Sequence, residues 1–253
     1  VTRTIVCRYF IALLRDRLDL TILPVNDIRT ITFDLDDTLW AIHPVIRRAE
    51  TRLYEWLEEK YPRITEMFEP ADIRRVRERV VAEHTHMAHD LTFLRHTVLV
   101  EIAGAAGYTN FLVDEAFAVF DEIRNDVEMF PEALPALQAL SQRYVLVAVT
   151  NGNANLEKIG IDDLFSAHVN AAMVGAAKPE RPIFDAAVEV GGASAAETLH
   201  VGDHPLYDVH GAREAGLRTV WVNREGSEWP EEYEMPDAEV MHVGELEALL
   251  GHD

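Results

Sequence analysis

Polar and apolar positions change rhythm twice along this chain. Ile28-Arg29-Thr30-Ile31-Thr32-Phe33 is short, β-branched and apolar, and runs into the acidic group Asp34-Leu35-Asp36-Asp37. That pattern predicts a buried strand. From about His43 to Val127 the apolar residues recur at helical spacing. Pro44 suits the first turn of a helix running towards Lys60, with Val45, Ile46, Ala49, Leu53, Trp56 and Leu57 on one face, and Tyr61-Pro62 ends it. Further helices are expected from Pro70 or Ala71 through the Arg-rich stretch Ile73 to Val81, over Leu91 to Ala106 with a stop at Gly107, and over Val113 to Arg124. Nothing in this block has a strand's alternation.

From Pro131 onward helix and strand alternate. Helices are expected at Pro131–Gln142, Asn155–Ile159, Pro182–Val190, Tyr207–Ala215 and Glu245–Leu250. Strands are expected at Tyr144–Val149, His168–Asn170, Thr198–Val201, Arg218–Val222 and Val240–Val243. Such alternation implies right-handed crossovers and a parallel sheet covered on both faces, an α/β class. Residues 27–40 and 130–253 form the expected core, 41–129 an all-helical insert, and 1–26 an extension of no assigned role.

Composition narrows the classes. The 253 residues suit one large domain, or one carrying a smaller second. With 44 Asp+Glu against 23 Lys+Arg the formal charge is −21, so nucleic acid and anionic lipid are not expected partners. Cys7 is the single cysteine; it excludes an intrachain disulfide and a Cys-rich metal site and fits a reducing cytosol. The apolar stretch Val1–Leu23 is broken by Arg8, Arg15, Asp16, Arg17 and Asp19, so it fits a short amphipathic helix and not a membrane span or secretory signal.

In open α/β sheets ligands bind beyond the carboxyl ends of the strands. Asp34-Leu35-Asp36-Asp37-Thr38 follows the first strand, Thr150-Asn151-Gly152-Asn153 the second, and Gly202-Asp203 through Asp208 the fourth, while Lys178 precedes the helix at Pro182. Asp34 and Asp36 would point the same way from an extended segment, with Asp203 approaching from a neighbouring strand. Two carboxylates about 4 Å apart repel by roughly 4 kcal/mol at an effective dielectric near 20. A hard divalent cation such as Mg²⁺ is the natural remedy, and Lys178 adds a further positive charge. Thr150 and Asn151, with backbone N–H groups of the Gly152 turn, supply donors for phosphate oxygens. This kit suits phosphoryl transfer, with Asp34 as nucleophile, Asp36 as acid and then base, and Thr38 fixing the turn and orienting Asp36.

The ordered set Thr32–Leu39, Thr150-Asn151-Gly152, Lys178 and Gly202-Asp203 to Asp208 resembles the four motifs of the haloacid dehalogenase superfamily over about residues 28 to 223. That resemblance implies a Rossmann-like core, a helical cap acting as a lid, Mg²⁺, and an aspartyl-phosphate intermediate. It further implies that Asp34 and Asp203 bind the metal through carboxylates and Asp36 through its backbone carbonyl, and that Asp208 holds Lys178 or a metal-bound water. Asp36 favours a phosphatase over a dehalogenase, because a departing halide needs no proton. The stretches Phe33–Glu50, Val149–Asn153 and His200–Asp203 are similar to a bacterial subgroup acting on flavin mononucleotide and on a phosphorylated pyrimidine of riboflavin synthesis. A small phosphorylated metabolite is thus the expected substrate; a dehalogenase, a phosphomutase and a catalytically idle binding module are the alternatives, and the oligomeric state stays open.

Other features have plainer readings. His84, His86 and His89 do not form an i, i+4 pair and are expected to be solvated or packed. Arg74, Arg75, Arg77 and Arg79 read as a solvated face paired with acidic neighbours. Trp40 suits hinge packing or stacking on a planar substrate, Arg47 and Arg95 are candidates to reach substrate from the cap, Trp221, Trp229 and Tyr233 suit packing of the last strands, and Gly191-Gly192 a helix stop.

Overall fold

A computed structural model describes residues 27–251. The expectations for the 1–26 extension, Cys7 included, lie outside the described residues. Among the described residues six strands form one sheet: β1 (Thr30–Phe33), β2 (Val145–Thr150), β3 (Ala167–Asn170), β4 (Thr198–Gly202), β5 (Arg218–Val222) and β6 (Ala238–Val240). Their order is β3-β2-β1-β4-β5-β6 and every neighbouring pair is parallel. Strand order reverses beside β1, which is where such sheets open a crevice. In register, Phe33 lies opposite Ala148 on one side and Val201 on the other. The three loops that follow these residues therefore leave the sheet together.

All four residues of β1 are buried, as a strand covered on both faces requires. Alternate residues of β2 serve the two faces. Leu146 and Ala148 face the core cluster to which α6 (Ala133–Leu140) and α11 (Leu246–Leu249) also contribute, whereas Val147 and Val149 face the cluster that holds Ile183, Phe184 and Ala187 of α9 (Arg181–Gly191).

Between β1 and β2 the chain is helical: α1 (Ile42–Lys60), α2 (Pro62–Met67), α3 (Pro70–Glu83), α4 (Leu91–Ala105) and α5 (Val113–Arg124). Their apolar faces meet in a cluster of their own that includes Leu53, Trp56, Leu57, Leu99, Ile102 and Phe120. The incoming and outgoing connections run side by side, since Trp40 bridges Met129 and the Phe130 N–H donates to the Leu39 carbonyl at 2.9 Å.

Some boundaries differ from those expected. Pro62 ends α1 and also begins α2, because proline fits a first helical turn as well as it stops a preceding helix. The last strand lies earlier, at Ala238–Val240, because Val222 ends β5 opposite Val240; Val243 sits in the following 3₁₀ turn. The helix expected from Tyr207 starts at Pro205 as a wide π-helical turn to His210, then continues as α10 (Gly211–Glu214). The short helices α7 (Leu156–Ile159) and α8 (Ala171–Val174) complete the chain. No helix among the described residues is long and apolar enough to cross a membrane.

Candidate active site

The loop after β1 is built to turn back on itself. The Asp34 N–H donates to Val201 in β4 at 2.9 Å, continuing the sheet by one residue. Asp37 then takes the left-handed conformation, at φ 63°, which Asp tolerates better than most residues. Its N–H closes on the Trp40 carbonyl at 2.7 Å. This fold of the loop returns Thr38 to Asp34: the Thr38 hydroxyl lies 3.2 Å from Asp34 Oδ2 and 3.2 Å from Asp203 Oδ1.

Lys178 is buried beneath this loop. Its ammonium meets Asp34 Oδ1 at 2.5 Å and Asp208 Oδ1 at 2.6 Å. Asn151 fixes the lysine's backbone: its Oδ1 accepts from Lys178 N at 2.6 Å, and its Nδ2 donates to the Lys178 carbonyl at 3.0 Å. Asp208 returns from the π-helical turn to accept from His204 N at 2.9 Å, and it lies 3.2 Å from His200 Nε2. His200 Nδ1 lies 2.8 Å from the Thr32 hydroxyl. Burial lowers the His200 pKa. A neutral ring donating from Nε2 to Asp208 and accepting at Nδ1 satisfies both contacts.

Three carboxylates face one ammonium here. Despite burial, Asp208 is held below the usual carboxylate range by Lys178 and His200. Burial works against the charge of Lys178, but Asp208 and Asp34 outweigh it and raise its pKa. Asp34 is pushed well up, by burial first and then by Asp208 and Asp203, against the pull of Lys178. Burial, with Asp208 and Asp37 nearby, pushes Asp203 up to about 7. Thr38 has one proton for two carboxylates and carries no charge, while Lys178 sits against Asp34 Oδ1 and Asp208 Oδ1, so negative charge is in surplus where Asp34 Oδ2 meets Asp203. Ligand oxygens of Asp34, Asp203 and Asp208 lie within 4.8 Å of one another. An all-oxygen donor set with surplus negative charge fits a hard divalent cation of the Mg²⁺ kind. It is the one such His/Cys/Asp/Glu group among the described residues, and the His84–His89 tract contributes none.

Asp36 has different partners. Arg124, at the end of α5 and fully buried, donates from Nη2 to Asp36 Oδ1 at 2.9 Å and Oδ2 at 2.8 Å. Trp40 Nε1 donates to Oδ1 at 2.8 Å. Burial raises the Asp36 pKa, while Arg124 and Trp40 work against the rise. Thr38, expected to orient Asp36, instead touches Asp34 and Asp203; Trp40 and Arg124 do the orienting. The Trp40 ring is fully buried, so it does not offer a face to a planar ligand. Trp221 Nε1 donates to the Asp203 carbonyl at 2.7 Å, and its ring packs against Trp229, as a packing residue should.

The Asn151 carboxamide, expected to face a phosphate, is engaged with Lys178 instead, while the Thr150 hydroxyl accepts from Gly152 N at 2.9 Å and keeps its own proton to donate. A cleft of about 550 Å³ opens beside Gly152 and Asn153 towards His89, Asp90 and Thr92 of the insert and His168 of β3. Sequence reasoning missed Arg124 and His200. An arginine in a helix's last turn reads as an ordinary dipole partner, and only its burial beside a carboxylate says otherwise. A histidine inside the apolar strand Thr198–Gly202 was the available signal for the second.

Two glycines are present because the site is crowded. A Cβ on Gly152 would lie 2.8 Å from Asp36 Oδ2, and one on Gly202 would lie 2.3 Å from Asp208 Cγ. Gly202→Ala is expected to cost about 2–3 kcal/mol in denaturant unfolding, typical of overpacking where nothing flexible can yield. An unchanged midpoint would contradict the tight packing around Asp208.

Comparison with known proteins agrees with this geometry. The haloacid dehalogenase-like hydrolase family model matches residues 28–216. The 5-amino-6-(5-phospho-D-ribitylamino)uracil phosphatase YigB of Escherichia coli is 29% identical over 90% of this chain and 98% of its own. The pyrimidine 5'-nucleotidase YjjG of the same organism is 36% identical over 47% of this chain and 56% of its own. The crystal structure of a 2-haloacid dehalogenase from Pseudomonas syringae superposes with a TM-score of 0.83 at 36% identity, covering 88% of this chain and 98% of that one. With three quarters of the chain matched by the family model and a Rossmann-like sheet carrying the rim, this protein belongs to the haloacid dehalogenase-like hydrolases.

Proposed function

We propose that this hydrolase is a phosphomonoesterase with Asp34 as nucleophile and Asp36 as general acid and base. The observation that carries the reading is Asp36, a second carboxylate with its own partners and a raised pKa. A departing alkoxide needs a proton and a departing halide does not, so a tuned acid beside the nucleophile suits phosphate esters. Phosphatase relatives that span nearly the whole chain support the same class.

Each step uses side chains carried by the loops that leave the sheet together after β1, β2 and β4, with Lys178 against Asp34. An Asp34 oxygen bonds to phosphorus as the ester P–O bond breaks, and the leaving oxygen takes the proton of Asp36. Asp36, now ionised, removes a proton from water; the water oxygen bonds to phosphorus and the Asp34–phosphorus bond breaks, freeing phosphate and Asp34. Lys178 has three N–H donors and spends two on Asp34 and Asp208, leaving one for a phosphate oxygen. The Thr150 hydroxyl serves another, and Asn151 holds Lys178 in place. Asp34 and Asp203, with the Asp36 carbonyl, would hold Mg²⁺, which supplies neutralising charge to phosphate and carboxylate oxygens. Asp208 steadies Lys178. Segment 41–129 serves as the cap, and the cleft at Asn153 and His89 holds the alcohol part.

Among substrates, the riboflavin-pathway pyrimidine phosphate and flavin mononucleotide are the first to test, given the similarity to YigB. The similarity to a 2-haloacid dehalogenase structure favours the competing reading. Both are separated by one assay with Mg²⁺: phosphate release from sugar phosphates, nucleotides and flavin mononucleotide, and halide release from haloacids. Phosphate release without halide release is expected. Halide release alone would overturn the proposal, phosphoryl transfer to a second hydroxyl would indicate a mutase, and no turnover on either panel would leave a binding module.

A further inference from the structure

The helical insert holds another cavity, of about 630 Å³, between α1, α3 and α4. None of its lining residues belongs to the sheet, and Leu91 is common to it and to the cleft beside Asn153. Its wall is apolar, with Leu53, Leu57, Ile73, Leu94, Val98 and Ile102. Its charged lining is the reverse of the chain as a whole: Arg47, Arg74, Arg77 and Arg95 against Glu50 and Glu55, in a protein of formal charge −21.

Those arginines are under-neutralised. Glu50 serves both Arg77, at 2.6 Å, and Arg95, at 4.0 Å, while Glu55 lies 3.6 Å from Arg52. Among the described residues Arg47 and Arg74 have no ion-pair partner. The Arg95 guanidinium lies 3.4 Å over the Phe120 ring, and burial lowers its pKa to about 10. A half-buried cation whose shared counter-ion is beyond hydrogen-bond reach is a poor partner for an apolar wall alone, and a good one for an anion. The volume falls within the usual range for small-molecule pockets.

We propose that this cavity binds a small amphipathic anion, with a ring or chain seated among Leu94, Val98 and Ile102 and a carboxylate, sulfonate or phosphate group at Arg95, Arg47 and Arg74. A neutral apolar ligand would leave the partly buried Arg95 unserved, and an inorganic anion would leave the wall wet; Arg47 and Arg74, at the exposed rim, add positive charge at the mouth. The anion is either the far end of the enzyme's own substrate, reaching past Leu91, or a separate regulator.

Two dyes with nearly the same apolar body make the test: anilinonaphthalene sulfonate, and the uncharged N-phenylnaphthylamine. The sulfonate should saturate at one site per chain. Arg95→Met, and Arg47→Gln with Arg74→Gln, should each weaken it about tenfold while the neutral dye changes less than about twofold. Glu50→Gln, which removes the competing carboxylate, should tighten the sulfonate. Arg47 and Arg74 are exposed and Arg95 is partly buried, so thermal unfolding is measured for every variant, and the exposed pair tests the site even if Arg95→Met shifts it. Absence of saturable sulfonate binding, indifference to the arginine changes, or equal loss of both dyes would overturn the proposal. Binding is read without turnover, so the existence of the site does not depend on the phosphatase reading; only the choice between the two sources rests on it. If the sulfonate raises the KM for flavin mononucleotide and not for nitrophenyl phosphate, the natural occupant is the substrate's far end; an equal effect on both, or none, identifies a separate ligand.

Discussion

Asp34→Asn should abolish hydrolysis of nitrophenyl phosphate, with kcat lower on the order of 10⁴-fold or more, because a carboxamide does not attack phosphorus and no neighbour can replace it. The substitution is nearly isosteric, and it removes one of three carboxylates crowded into a buried space with Asp203 and Asp208. Thermal unfolding in metal-free buffer should therefore stay at or above the wild-type value, which separates lost chemistry from lost folding. Wild-type protein quenched during turnover should carry a phosphoryl group that hydroxylamine removes, and the variant should carry none. Withdrawing divalent cations should silence the wild type, and adding Mg²⁺ should restore it. Turnover above about 1% in the variant would sink the covalent mechanism.

For Asp36→Asn the loss should depend on the leaving group. Alkyl phosphates need a proton on a strongly basic alkoxide, so about 10²–10⁴-fold should be lost; nitrophenolate leaves unaided, and the loss should be far smaller. Equal losses on both would argue that Asp36 only positions the loop. Arg124 gives a second handle on the same acid. Its guanidinium favours the carboxylate form of Asp36 against burial. Arg124→Met should therefore let Asp36 keep its proton to higher pH, moving the alkaline limb of kcat/KM upward for alkyl phosphates. A structural role alone would lower activity and leave the limb in place. The limb should not move for nitrophenyl phosphate, whose departure does not wait for that proton.

How far these residues were readable from the chain differs case by case. Asp34, Lys178, Asp203 and Asp208 were nameable because strand and helix periodicities are local, and a parallel sheet sends the loops after its strands to one rim. The carboxylates and the lysine do meet there. Asn151 was nameable, but its engagement with Lys178 spans 27 residues and depends on how two loops stack. Arg124 reaches Asp36 across 88 residues, and its burial follows from α5 closing against the β1 loop.

The arginines of the insert make the same point at larger scale. Along the chain, Arg74 to Arg79 look like a solvated face, and three of them do pair with Asp72, Glu50, Glu83 or Glu101. Yet Arg74 and Arg77 share a cavity with Arg47 and Arg95 from two other helices. Element type, sheet class and the acidic rim follow from the order of residues, because backbone preference and amphipathic spacing act over a few positions. Which carboxylate each cation serves, which hydroxyl bridges two acids and where positive charge collects follow from the packing of distant segments, because desolvation and pairing depend on distances across space that no short stretch encodes.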